Sequence, residues 1–84
     1  MATKYRSNTD IVSQILEAAD GGATKTKIMY EAFMSHAQLK EYLTILTDNG
    51  LLEFDLDMQT FRTTDKGHSF LDKYNPTDQL MKMT

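Results

Sequence analysis

The stretch that decides the fold is KTKIMYEAFMSHAQLKEYLTILTDNG, at residues 25–50. Apolar residues recur at helical spacing in both of its halves, which predicts short helices over residues 25–33 and 36–48 joined by a tight turn. Ser35, followed three residues later by Gln38, fits the capping box that begins a helix. A closing Asn-Gly pair ends the longer helix, because glycine readily takes the left-handed conformation.

A further amphipathic helix is predicted before this stretch, over residues 9–19. Either Asn8 or Thr9 is suited to cap it, and Gly21-Gly22 ends it. Thr24 is suited to cap the helix that follows. The chain therefore begins with three helices in close succession.

A β-hairpin is predicted after the stretch, because apolar and polar residues alternate over 52–55 and 61–64. A turn centred on Asp57-Met58 pairs Phe54 with Phe61, and it pairs Glu53 with Arg62 on the opposite face. Asp-Met is a poor two-residue turn, so we expect a longer loop. A short third strand at residues 23–24 would extend the pairing.

A last helix is predicted over residues 65–74, capped by Thr64 and ended by Asn75-Pro76. The fold class is therefore mainly α with a small β-hairpin, and the order helix-helix-helix-hairpin-helix is that of a winged helix-turn-helix. We expect a flexible N-terminal arm (1–8), a winged-helix domain (9–75) and a C-terminal tail (76–84). The predicted core packs Leu39, Leu43 and Leu46 against Ile11, Ile15, Ile28, Phe54 and Phe61.

Composition limits the functions open to this chain. It has 84 residues, which predicts one domain, and it has no cysteine, which excludes a disulfide framework and a thiolate metal site. The sequence has no long apolar run of the kind that marks a signal peptide or a membrane span, so we expect a cytoplasmic protein. The net charge is −3, with five basic against four acidic residues in 1–40 and four against eight in 41–84. Any nucleic-acid face should therefore draw on the first half.

Catalytic chemistry is not indicated. His36 and His68 are not at metal-ligand spacing, and Asp55 and Asp57 lie on a hairpin edge rather than in a cleft. A domain of this size offers little room for an enclosed active site. We predict a protein that is not an enzyme and that needs no cofactor or metal.

Four segments carry a resemblance to a known family. They are KTKIMY at 25–30, the Ser-x-x-Gln-Leu-Lys-x-Tyr-Leu pattern at 35–43, NGLLE at 49–53 and Thr-x-Lys-Gly-x-x-Phe-Leu at 64–71. Over residues 5–74 the chain resembles the small archaeal winged-helix family of transcription-regulator-like DNA-binding proteins. Some members extend the last helix into a long dimerising coiled coil, which Pro76 interrupts here. We therefore expect a shorter two-fold homodimer through the first and last helices.

The resemblance implies a partner, double-stranded DNA, and places the helix at 36–48 in its major groove, as in helix-turn-helix proteins. The start of the second helix and the arm would then hold phosphates. Gln can bond adenine through both atoms of its amide group. The predicted DNA-binding residues are Arg6, Lys25, Thr26, Lys27, Ser35, His36, Gln38, Lys40, Thr44 and Arg62.

The alternative is a winged helix that docks on another protein within a transcription or regulatory complex, without touching DNA. The net acidity and the acidic hairpin motivate it, since Arg62 is the hairpin's one basic residue among Glu53, Asp55 and Asp57. A DNA-binding protein loses affinity steeply as salt rises, and a docking module shows no such DNA binding.

Overall fold

The structure is a computed structural model that describes residues 7–73. It confirms the predicted order of elements. These are α1 (Asn8–Ala18), α2 (Lys25–Ala32), α3 (His36–Asp48), β1 (Leu52–Asp55), β2 (Thr60–Thr63) and α4 (Asp65–Lys73). Most of the predicted arm, including Arg6, and the whole predicted tail lie outside the described residues, as does Tyr74.

Two capping boxes fix the starts of α1 and α3. The Ser35 hydroxyl accepts from Gln38 N at 3.2 Å and Gln38 Oε1 accepts from Ser35 N at 3.4 Å, as predicted. The prediction that Asn8 or Thr9 caps α1 is wrong. Ser7 is the cap, because the Asp10 carboxylate three residues later accepts from its N–H at 3.2 Å.

The core lies where α1, α2 and α3 meet the hairpin. Leu39, Leu43 and Leu46 are buried, as predicted. Leu16 and Leu52 are fully buried as well, although they were not among the expected core residues. The buried Thr63 ties β2 to α1 by donating from Oγ1 to the Leu16 carbonyl at 2.6 Å.

The hairpin has the predicted register, with Phe54 opposite Phe61 and Glu53 opposite Arg62. Placing Phe54 in the core was wrong, because it is 43% exposed and packs on Phe61 with ring centroids 4.8 Å apart. It lies nearer the tip of the hairpin than Leu52, which is fully buried. The third strand is reduced to one bridge between Ala23 and Phe61, since the next residue, Thr24, already caps α2.

The end of α2 also differs from the prediction. Phe33 was expected on the apolar face of a helix over 25–33, but the helix ends at Ala32. Phe33 takes the left-handed conformation with φ 54° and is 81% exposed. This sharp reversal brings the next residue, Met34, into the core, where it is buried.

Helix α4 packs against α1 and against β2 of the hairpin. Thr64 caps it as predicted, because its hydroxyl accepts from Gly67 N at 3.1 Å. Phe70 and Leu71 pack on the edge of the core. None of the helices within residues 7–73 has the length and apolar character needed to cross a membrane.

Candidate nucleic-acid interface

Helix α3 turns its leucines inward and therefore presents a mainly polar face to solvent. The exposed residues of this face are His36, Ala37, Gln38, Lys40, Glu41, Thr44, Ile45 and Asp48. A shallow, open depression of about 500 Å³ runs along its middle, lined by Lys40, Glu41, Thr44 and Ile45. The predicted α3 site residues all lie on the exposed part of this helix or at its start.

A second groove, about 300 Å³, separates α3 from the start of α2 and from the hairpin. Lys25, Lys40 and Thr44, all predicted site residues, line it together. Phe61 of β2 and Asp48, the last residue of α3, line the same groove. The tight turn between the helices thus brings together two lysines that are fifteen positions apart in the sequence.

The other basic side chains of the described residues already have interaction partners. Lys27 Nζ lies 3.9 Å from Glu31, and Arg62 Nη2 lies 3.4 Å from Glu53. Lys66 Nζ donates to the Asn49 carbonyl at 2.8 Å, and Lys73 also has an interaction partner. Within residues 7–73, only Lys25 and Lys40 among the lysines and arginines have side chains that bond to no other described residue.

Ser35 and Gln38 lie at the start of α3, where helix-turn-helix proteins meet base edges. Both are engaged in the capping box, with Gln38 Oε1 accepting from the Ser35 backbone. A bidentate bond to adenine needs the oxygen and the nitrogen of the amide together. In this conformation the Gln38 oxygen already accepts the Ser35 N–H, so a bidentate contact with adenine would have to share that oxygen between the cap and the base.

Arg62 does not join the other predicted site residues. It points to the face of the hairpin opposite Phe61, because side chains alternate along a strand. There it lines a cavity with Glu53, Lys66 and His68. Thr26 and Lys27 are exposed in the first turn of α2, and His36 is exposed at the start of α3.

The hairpin tip is acidic and locally rigid. Asp55 Oδ1 accepts from the backbone N–H of Asp57 at 3.0 Å and of Met58 at 3.2 Å, which holds the turn. Leu56 and Met58 are among the most exposed large apolar residues of the described chain. A phosphate backbone would meet negative charge at this tip.

Ile45 is a surface residue that sequence reasoning missed. It is 54% exposed and lines the depression on α3. A helical wheel places it one turn after Glu41 and two turns after Ala37, so the spacing alone could have placed it on the outer face. The described residues contain no group of three or more His, Cys, Asp or Glu side chains that could hold a metal ion.

Comparison with known proteins assigns the family. A family model described as winged helix-turn-helix matches residues 5–82, which is most of the chain. The chain belongs to this winged helix-turn-helix family. No curated protein sequence matches it.

Among solved structures, the fold is similar to that of Sso10a-2, described as a DNA-binding protein from Sulfolobus solfataricus. The superposition has a TM-score of 0.79 at 19% sequence identity, and it covers 92% of this chain and 83% of that chain. At this identity the similarity establishes the shared fold, which agrees with the architecture expected from the sequence.

Proposed function

We propose that the protein is a DNA-binding transcriptional regulator, without catalytic activity, that lays the exposed face of α3 in the major groove. The observation that carries this proposal is the pair of unmatched lysines. Lys25 and Lys40 come from the two helices of the helix-turn-helix and line one groove, which Asp48 also lines. Neither lysine forms an ion pair with a described residue. Such paired cations beside a protruding helix suit two phosphates of a duplex backbone.

In this proposal the other predicted DNA-binding residues contribute to different extents. His36, Thr44 and the Gln38 amide nitrogen face the bases, while Ser35 mainly orients the helix through its cap. Thr26 and Lys27 would reach the backbone beside Lys25, and Lys27 must share its charge with Glu31. Arg62 contributes least, because it is paired with Glu53 on the far side of the hairpin.

The similar fold of an archaeal DNA-binding protein supports a nucleic-acid partner. The net charge of −3 does not oppose it, because no acidic side chain of the hairpin lines the groove of Lys25 and Lys40, and Asp48 is the one acidic residue there. A helix that enters a groove depends on its local surface more than on the charge of the whole molecule.

A fluorescence-anisotropy titration with a labelled mixed-sequence duplex tests this function. We expect saturable binding at roughly 50 mM salt and a steep loss of affinity at roughly 200 mM. An absence of binding at the lower salt concentration would contradict the proposal.

Such an absence would favour the second candidate function, docking on another protein. The specific observation behind it is the wing tip, where exposed Leu56 and Met58 stand among acidic residues. Apolar side chains rimmed by charges are typical of protein contact surfaces. In that case pull-down by the intact chain should fail when Leu56 and Met58 are replaced by serine.

A further inference from the structure

Glu41 stands at the centre of the outer face of α3. The helix turns by about 100° per residue, so Glu41 lies roughly 140–160° around it from each of the three buried leucines, Leu39, Leu43 and Leu46. The residue is exposed, and it lines the shallow depression on this face. When α3 lies in a major groove with its leucines turned to the core, Glu41 therefore faces the floor of that groove.

The carboxylate of Glu41 is available to a ligand. It bonds to no other described residue, unlike the carboxylates of Glu31 and Glu53, each of which faces a basic side chain. A negative charge in the middle of this face repels the phosphates of any duplex. If α3 bound DNA through phosphate contacts alone, Glu41 would only weaken the complex. A contact with a base edge gives this carboxylate a role that offsets the repulsion.

We propose that Glu41 reads a cytosine in the major groove by accepting a hydrogen bond from the cytosine N4 amino group. This inference rests on the proposed function, DNA binding by α3. An ionised carboxylate only accepts hydrogen bonds, and the donors at the major-groove edge are the amino groups of cytosine and adenine. Adenine places its N7 acceptor beside that amino group, whereas cytosine has no acceptor at this edge. Cytosine therefore matches the carboxylate best.

The position of Glu41 along α3 distinguishes it from Asp48, the other acidic residue of the helix. Glu41 is the sixth residue of α3, in the N-terminal half, which is the part of a recognition helix that contacts base edges. Asp48 is the last residue, on the same face about two turns further on, and it lines the groove that contains Lys25 and Lys40. We expect Asp48 to act on the phosphate contacts through its charge alone, which makes it a matched control.

Selection of bound sequences from a pool of randomised duplexes tests the inference with the intact protein, Glu41→Gln and Asp48→Asn. We expect the intact protein to enrich a C·G pair at one position of its site. Glu41→Gln should lose this enrichment in favour of adenine, which an amide side chain bonds, and Asp48→Asn should keep it. Both variants should bind a mixed-sequence duplex more tightly than the intact protein, because each removes a negative charge from the face that meets DNA.

A modified base tests the hydrogen bond itself without changing the protein. N4-methylcytosine still pairs with guanine, but its methyl group replaces the amino proton that cytosine presents to the major groove. At the enriched position of a labelled duplex, we expect this base to weaken binding of the intact protein by roughly tenfold and to leave binding of Glu41→Gln nearly unchanged. The control is 5-methylcytosine at the same position, which adds a methyl group and keeps both amino protons.

The outcomes distinguish this inference from the function on which it rests. Cytosine reading is overturned, and DNA binding left in place, if the intact protein enriches no C·G pair or if Glu41→Gln keeps the same preference. Equal binding of the cytosine and N4-methylcytosine duplexes by the intact protein overturns it as well. Binding of no duplex at low salt overturns both claims. Glutamine is a good helix former at this exposed position, so the variant should keep its fold, which circular dichroism checks.

Discussion

Phosphate binding depends on the two side chains of the groove, Lys25 and Lys40. Each is free of an acidic partner among the described residues, so neither must break an ion pair before it meets DNA. Their separation in sequence means that they meet only when α2 and α3 adopt the helix-turn-helix angle. Within α2, the i, i+4 spacing of Lys27 and Glu31 already distinguishes Lys27 from Lys25, but the groove that Lys25 shares with Lys40 depends on the packing of the two helices.

Neutralising either lysine should therefore change the salt dependence of binding. In Lys25→Gln and in Lys40→Gln, we expect the slope of log K against log salt to flatten by about 1, because one phosphate contact is lost. Anisotropy titrations at several salt concentrations measure the slope. Lys73→Gln, which removes the same charge from the end of α4, is the matched control and should keep the slope of the intact protein.

Phe33 is the other residue with a distinctive conformation. A bulky side chain at φ 54° is strained, and glycine is the residue that this helix-ending position favours. Since the side chain is 81% exposed, Phe33→Gly loses little apolar burial. We expect it to raise the free energy of unfolding by about 1 kcal/mol, measured by urea denaturation. A lower unfolding midpoint would show that the Phe33 ring stabilises the turn.

The boundaries of the helices and strands show what local sequence can determine. Helix α3 was predicted over its full length because the Ser35–Gln38 box and Asn49-Gly50 mark both ends. The end of α2 was not predicted, because nothing in the sequence around Phe33 indicates a left-handed conformation. That conformation accompanies the burial of Met34 in the core. The cross-strand pair of Glu53 and Arg62 was predicted, yet its consequence for Arg62 as a DNA ligand was not drawn.

The site itself was predictable in part. Naming Lys25 and Lys40 required only their positions at the start of α2 and on the outer face of α3. Their shared groove, and the bond from Lys66 to the Asn49 carbonyl, depend on how the elements pack. The engagement of Gln38 and Thr44 with backbone groups likewise depends on side-chain conformations that a sequence does not specify.

The close packing of α4 at Gly67 predicts that alanine there destabilises the protein, although helix propensity alone predicts the opposite. Alanine in place of glycine usually stabilises a helix by about 1 kcal/mol. At Gly67, however, an added Cβ would lie 2.5 Å from the Leu51 carbonyl oxygen and 2.5 Å from Thr63 Cγ2. We expect Gly67→Ala to destabilise the fold by about 1–3 kcal/mol through overpacking, measured by urea denaturation.

Ser69→Ala provides the comparison within the same helix. Ser69 is exposed on α4, so its replacement should leave the unfolding midpoint unchanged or slightly higher. If Gly67→Ala stabilised the protein as Ser69→Ala does, α4 would not pack as closely on the α3–β1 connection as the structure has it.

Dimerisation would raise the affinity of so small a domain for DNA. We propose a two-fold homodimer through α1, α4 and the residues that follow, because two rigidly joined copies make the second DNA contact intramolecular. Deleting residues 76–84 should then shift the mass measured by light scattering toward that of a monomer and lower DNA affinity together. A monomeric mass for the intact chain at high concentration would contradict the dimer.

The most direct test is to follow the backbone amide chemical shifts of the ¹⁵N-labelled protein as DNA is added. The shifts that change show which face of the molecule binds DNA. On titration with a duplex, we expect the largest changes in residues 25–27 and in 36–48, with small changes in α4. Changes concentrated in α4 or around Arg62, with α3 unaffected, would contradict DNA binding through the groove of Lys25 and Lys40.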